Sequence, residues 1–254
     1  MTTSALSPLP GAIIIGASSG IGAALARQLA RDGYRVALVA RRLELIEKLA
    51  ADLDAEFGPG RARAYAHDVT QPAAAPDLFQ RLVADLGRLE VLIYNAGQLR
   101  PVALDEYNFE KDRQMFAVNV DGALAWLNLG AALFERQRSG HLVGISSVAG
   151  DRGRVGSPAY NASKAALSTF LEALRNRLTR HGVHVLTVKP GFVATDMLKN
   201  AARTFWVITP AQAAADISQA LRARRQVIYT PARWGLLMQI IRHLPSFIFR
   251  RLKF

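Results

Sequence analysis

Cysteine is missing from this chain of 254 residues, so neither disulfides nor thiolate metal sites are available to it. Its five histidines and its carboxylates show no ligand spacing, and a metal is not expected. A long hydrophobic run is also missing near the start: MTTSALSPLPG lacks a basic segment, and AIIIGA is too short to be secretory or to span a membrane. A cytoplasmic protein is the expectation. Acid is scarce, with 20 Asp and Glu against 32 Lys and Arg and a net charge of +12. Such a balance admits a nucleic-acid or membrane partner. No recognised nucleic-acid-binding pattern accompanies the charge, so nucleic acid is not expected.

What the chain does have is apolar residues, at half of its length. AIIIG, RVALVA, LEVLIYNAG, HLVGISS and VHVLTVKPG are short apolar runs of the kind found in parallel strands buried on both faces. Helical patterns separate them. This alternation predicts an α/β fold: a single Rossmann-type domain, with one doubly wound parallel sheet of about seven strands, helices on both faces, and ligand beyond the carboxyl ends of the strands. Within it, 1–197 is expected to form the cofactor-binding and catalytic core, 198–230 a substrate lid and last strand, and 231–254 a basic amphipathic segment. GPGRARAYAHD and QPAAAPD read as loop punctuation.

GAIIIGASSGIGAALARQLARDG joins an apolar strand to a helix through a glycine-rich turn. Gly16, Gly20 and Gly22 lack the Cβ that would bar positive φ or the approach of a pyrophosphate. The helix that follows offers free N–H groups and a favourable dipole. Ser18, Ser19 and Ile21 complete the turn expected to line that phosphate site. A lone glycine-rich loop is often an ordinary strand-to-helix turn, but here strand, turn and helix follow in the order that dinucleotide binding requires.

Farther along, GISSVAGDRGRVGSPAYNASK holds a hydroxyl, a phenol and an ammonium suited to proton transfer. If PAYNASKAALSTFLEAL is helical, Tyr160 and Lys164 share one face a turn apart. A free tyrosine titrates near pH ~10 and a neighbouring ammonium lowers that value, which suits a tyrosine acting as acid or base. Ser147, just past HLVGI, is placed to offer its hydroxyl to the same substrate oxygen. Alone, the tyrosine–lysine spacing is a weak signal, because a half-buried tyrosine and a solvated lysine produce it on many helices.

Together these motifs resemble the short-chain dehydrogenase/reductase family, from about Ala12 to Met197. The family's G-x-x-x-G-x-G is matched by Gly16 to Gly22, its adenine-pocket pair by Asp68 and Val69, and its N-A-G turn by Asn95, Ala96 and Gly97. Asn119 matches its helix asparagine, Ser147, Tyr160 and Lys164 its catalytic triplet, and Pro190, Gly191, Val193 and Thr195 the segment that cradles the nicotinamide. The resemblance implies hydride transfer between a nicotinamide cofactor and a carbonyl or secondary alcohol. It gives Tyr160 the proton, Ser147 the carbonyl oxygen and Lys164 the nicotinamide ribose. Asn119 would support a water that returns the proton, with a helix-bend or core asparagine as the rival reading; Thr195 and the Val193 backbone would hold the carboxamide. A homodimer or homotetramer through the helices near Asn119 and Tyr160 is implied as well. Two positions depart from the pattern, Ile15 for a threonine and Tyr94 for an asparagine. The missing hydroxyl removes a bond worth about 1 kcal/mol, which predicts local softness rather than lost activity.

At the end of the second strand, an acid would bind the ribose 2′-hydroxyl of NAD. Ala40, Arg41 and Arg42 stand there instead, and guanidinium groups bind phosphate bidentately. NADP(H) is therefore the expected cofactor, the alternative being two solvated arginines on a first helical turn. A catalytically idle NADP-binding sensor or scaffold is the rival class, disfavoured by the intact triplet.

The substrate end is less distinctive. Met197, Leu198, Phe205 and Trp206 suggest an apolar wall or a covered sheet edge, and Arg152 and Arg154 either face the pocket mouth, where they would favour an anionic group, or are solvated. From Arg222 to Phe254 there are eight Arg and Lys and no acid, interleaved with Trp234, Leu236, Leu237, Met238, Ile240, Ile241, Phe247, Ile248, Phe249 and Phe254. That pattern fits an interfacial amphipathic segment or a helix packed on the protein. It loosely resembles family members that reduce lipid-linked keto-sugars, which implies a hydrophobic or lipid-like ketone.

Overall fold

The computed structural model describes residues 9–200 and 204–252. Residues 1–8, 201–203 of the expected lid, and Lys253 and Phe254 of the tail lie outside the described residues. Seven strands form one sheet: β1 (Gly11–Ile15), β2 (Arg35–Ala40), β3 (Ala62–Ala66), β4 (Leu89–Tyr94), β5 (His141–Ile145), β6 (His184–Pro190) and β7 (Val227–Thr230). Their order is β3-β2-β1-β4-β5-β6-β7, and each adjacent pair is parallel. The chain reverses its direction of travel between β1 and β4, which opens a crevice at the carboxyl ends of those strands.

The apolar runs are continuous because each strand feeds two cores. In β1, Ile13 and Ile15 join Leu82, Trp126 and Leu171 on one face, while Ala12 and Ile14 join Leu25, Leu53 and Ile217 on the other. The first layer comes from α3 (Ala75–Leu86), α5 (Gly122–Gln137) and α6 (Pro158–Leu178), the second from α1 (Gly20–Arg31), α2 (Leu43–Phe57) and α7 (Pro210–Arg222). Each fully buried Leu or Ile contributes roughly 1.5–3 kcal/mol, so the two layers hold the sheet rigidly beneath the crevice.

GPGRARAYAHD is not merely loop: its ARAYA is β3. β3 is an edge strand, only Ala62 of it is buried, and Arg63 and Tyr65 reach Asp85 at its rim. Edge position removes the second apolar face that marks the other strands. QPAAAPD likewise contains the start of α3, preceded by a short 3-10 turn at Pro72–Ala74. The run Phe109–Gln137 is long and apolar enough to cross a membrane by length and composition. It comprises α4 (Phe109–Phe116), a π turn at Ala117–Asp121 and α5, and buries Trp126, Leu127 and Phe134 in the core. The tail forms α8 (Arg233–His243) and α9 (Ser246–Phe249).

Candidate active site

One cavity of about 650 Å³ opens at the carboxyl ends of the strands. At its first end the turn after β1 depends on glycine: Gly16 has φ +90°, and a Cβ there would lie 2.6 Å from the Ala96 nitrogen. A Cβ on Gly22 would lie 2.1 Å from the Gly16 oxygen. Asn95 closes the turn, its Nδ2 donating to the Gly16 oxygen at 2.7 Å and its backbone nitrogen to the Ile15 oxygen at 2.9 Å. These bonds tie the turn to the end of β4 beside Ile15. Tyr94 is fully buried and donates to the Val118 carbonyl in the π turn. It thus links the end of β4 to the element that carries Asn119.

Ser18, Ser19, Gly20 and Ile21 line the cavity, and the Ser19 side chain does not cap α1. The first N–H groups of α1 are therefore open to an anion. Arg42 donates to the Ser18 and Ser19 hydroxyls at 2.8 and 3.0 Å, and Arg41 lies 3.8 Å from Asp68. Both arginines line the cavity. An uncapped helix start beside two guanidinium groups fits a phosphorylated nucleotide. Asp68 itself does not line the cavity: its carboxylate accepts from the Thr70 nitrogen and hydroxyl at 3.0 and 2.8 Å. Its neighbours Val69 and His67 do, and His67 carried no motif to mark it.

At the second end, Ser147, Tyr160 and Lys164 come together in the cavity wall. Ser147 follows β5, and its hydroxyl accepts from the Ala149 nitrogen at 3.1 Å. Tyr160 sits in the first turn of α6 with its hydroxyl 3.9 Å from the Met197 sulfur. Burial pushes the Tyr160 phenol up, opposed by a hydrogen bond with Ser147 and the charge of Arg154. Lys164 is buried, donates to the Ile145 carbonyl at 2.8 Å, and is held down to about 8 by burial. The Lys164 ammonium lies 5.8 Å from the Tyr160 ring centroid, as the i, i+4 spacing predicts, and Arg154 adds a second cation near the phenol.

Asn119 stands behind this wall, fully buried and outside the cavity lining. Its Oδ1 accepts from the Gln98 nitrogen at 2.7 Å, and its Nδ2 donates to the Gln98 oxygen and to Ser163 Oγ, both at 2.9 Å. With those bonds made inside the π turn at Ala117–Asp121, the side chain fixes a bend in the helix, and any water it supports would be held at the backbone this bend exposes. Ala96, Gly97, Pro190, Gly191, Val193 and Thr195 all line the cavity.

At the far rim the reading of Arg152 as facing the pocket mouth or solvated fails. Arg152 does not face the cavity; its Nη1 donates to the Ile241 and Leu244 carbonyls at 2.6 and 2.5 Å, and its guanidinium lies 4.0 Å above the Phe249 ring. The tail packs in part on the protein, one of the two readings its pattern left open: Trp234 of α8 lines the cavity and packs on Gly191, where a Cβ would lie 1.9 Å from the indole nitrogen. Trp234 also meets Phe192, Phe205 and Trp206 with ring centroids 5.7, 5.0 and 5.5 Å away.

A glycine-turned Rossmann crevice ending in a serine, a tyrosine and a lysine defines a nucleotide-dependent oxidoreductase site. Residues 11–205 match the family model for short chain dehydrogenases. The chain belongs to the short-chain dehydrogenase family. It is 39% identical over 186 residues to an uncharacterized oxidoreductase of Myxococcus xanthus, covering 73% of each chain. An uncharacterized oxidoreductase of Mycobacterium tuberculosis is 30% identical over 243 residues, covering 94% of this chain and 95% of the other. Among solved structures, a short-chain dehydrogenase from Sphingobium yanoikuyae in complex with NADPH superposes with a TM-score of 0.81 at 28% identity, covering 94% of this chain and 97% of that one.

Proposed function

We propose that the protein is an NADP(H)-dependent reductase of a hydrophobic ketone. The observation that carries this reading is the pairing, in one cavity, of the Arg41 and Arg42 guanidinium groups at one end with Ser147, Tyr160 and Lys164 at the other. The NADPH held by the Sphingobium relative supports it. When bound, the cofactor supplies hydride from nicotinamide C4 to the carbonyl carbon.

The chain's own residues do the rest. Arg41 and Arg42 take the 2′-phosphate, and the turn at Gly16 to Gly22 with the start of α1 takes the pyrophosphate. Asn95, Ala96, Gly97, Val69, Pro190, Gly191, Val193 and Thr195 enclose the remainder, and Lys164 holds the nicotinamide ribose. Ser147 donates to the carbonyl oxygen. Tyr160, kept protonated by its burial, passes its proton to that oxygen as the carbonyl π pair moves onto it and the carbon gains its new C–H bond, so the product is a neutral alcohol. Phe192, Met197, Leu198 and Trp234 exclude water from the reacting face.

The same reading divides the chain at about 197 and 230 and gives it two contacts. Beside α4, Tyr107 and Phe109 are 97% and 78% exposed, surface that a homodimer or homotetramer would cover. On the tail, Leu236 and Ile240 are 74% and 57% exposed and Arg250 and Arg251 follow, which suits peripheral contact with an anionic membrane. Light scattering tests the first, and co-sedimentation with anionic vesicles at two salt concentrations the second. The reductase reading is tested by incubating the protein with NADPH and a panel of ketones of graded chain length. Consumption of NADPH with stoichiometric alcohol supports it. Tight cofactor binding without turnover on any ketone or alcohol favours a sensor.

A further inference from the structure

Arg154 and Arg152 lie on the same loop and have different tasks. Arg152 is consumed by the tail, with its carbonyl acceptors and the Phe249 ring. Arg154 lines the cavity. Of its five N–H donors, the one bond formed among the described residues is a long one, from Nη2 to Asn161 Oδ1 at 3.3 Å. Its Nε is buried without a partner, and no carboxylate among the described residues pairs with it. A guanidinium left so short of acceptors in a cavity wall is costly unless something else supplies them.

The cavity does not supply them itself. Among the described residues lining it, Asp196 is the sole carboxylate, against Arg41, Arg42, Arg154 and Lys164. Arg41 and Arg42 belong to the cofactor end and Lys164 is engaged with Ile145. Arg154 is the cation left at the substrate end, and it is close enough to Tyr160 for its charge to act on the phenol. Asn161, itself buried and bonded to the Gly156 carbonyl at 3.1 Å, holds the guanidinium from behind.

We propose that Arg154 binds an anionic group of the substrate, so that the ketone reduced at Tyr160 carries a carboxylate or phosphate, with its apolar body against Trp234 and Phe192. This rests on the reductase reading and sharpens its substrate class. The planar fork of arginine suits a two-oxygen anion.

The test uses the full chain with NADPH and a series of medium-chain oxo acids, the ketone at successive positions from the carboxylate, each paired with its methyl ester. At the best position the acid is expected to have a KM lower than its ester by about tenfold or more, the value of one charge-assisted contact. Arg154→Met is expected to bring acid and ester together, and Arg154→Lys to keep part of the preference. A wild-type enzyme that treats acid and ester alike, or an Arg154→Met variant that keeps the preference, overturns the proposal. A second readout does not need turnover: quenching of tryptophan fluorescence by dodecanoate and by dodecanol in the NADP⁺-loaded protein. Preferential binding of dodecanoate, lost in Arg154→Met, supports the role of Arg154 even if no ketone is reduced. Equal binding of the two then counts against Arg154, while failure of every ketone counts against the reductase reading alone.

Discussion

The cofactor end and the substrate end of this cavity are built by opposite means. At the cofactor end, Gly16 to Gly22 and then Arg41 and Arg42 sit at successive strand ends, and each stretch places its own residues through local turn geometry. At the substrate end, Arg152 grips carbonyls about ninety residues away, and Trp234 of α8 packs on Gly191 of the segment after β6. Local spacing writes the first into the sequence. Tertiary packing creates the wall around the triplet at the second, so cofactor binding and substrate choice are separable by mutation.

That separation can be broken first at Lys164, which touches both ends. Lys164→Ala is expected to lower kcat/KM by about a thousandfold, within the range of a lost acid–base partner, and to weaken NADPH as well. Stopped-flow binding beside steady-state rates checks this, and a loss confined to turnover would remove the ribose contact from the account.

A next, smaller effect belongs to the cofactor end alone. Replacing Arg41 and Arg42 together by alanine is expected to weaken NADPH by roughly tenfold to a hundredfold, since charge-assisted contacts are worth about 1.5–3 kcal/mol each. NADH affinity should barely move. Isothermal titration with both nucleotides measures the contrast, and an unchanged ratio would return the arginines to solvent.

Trp234→Ala addresses the other end. It removes an aromatic wall and is expected to raise KM for an apolar ketone by about tenfold, in line with a lost buried contact area. Removing everything after Thr230 should do at least as much, because α8 is part of the cavity wall. If ketone KM is insensitive to both changes, the substrate end lies elsewhere.

The smallest effect is in pH. Burial holds Lys164 to about 8 and raises Tyr160 above 10. Lys164 thus loses its proton first as pH rises, while the Tyr160 donor stays protonated. Reduction is expected to fall above about pH 8 on a limb that Lys164 controls. A profile of kcat/KM that stays flat to the tyrosine range would contradict the assignment.

The sheet, its order of strands and helices, and the triplet were legible because each depends on neighbours within a turn or a strand. Strand β3 was not, since an edge strand with Arg63 and Tyr65 has no second buried face to make an apolar run. Asn119 was half legible: its position in the pattern was clear, yet its amide turned out to be spent on Gln98 and Ser163. Lys164 beside the phenol followed from helix spacing and is found there, whereas Arg154, brought in by the loop after β5, adds a second charge that no helix periodicity signals. Trp234 was left open between a membrane face and a packed helix because nothing in the tail's periodicity distinguishes the two.

The most direct measurement is a comparison of the wild-type chain with Tyr160→Phe, each titrated with NADPH and then mixed with a ketone from the productive panel. NADPH should bind both alike, and only the wild type should oxidise it, with a deficit in the variant of about a hundredfold to ten-thousandfold. Undiminished turnover by Tyr160→Phe, or loss of NADPH binding in parallel with turnover, would contradict the placement of the proton donor at Tyr160.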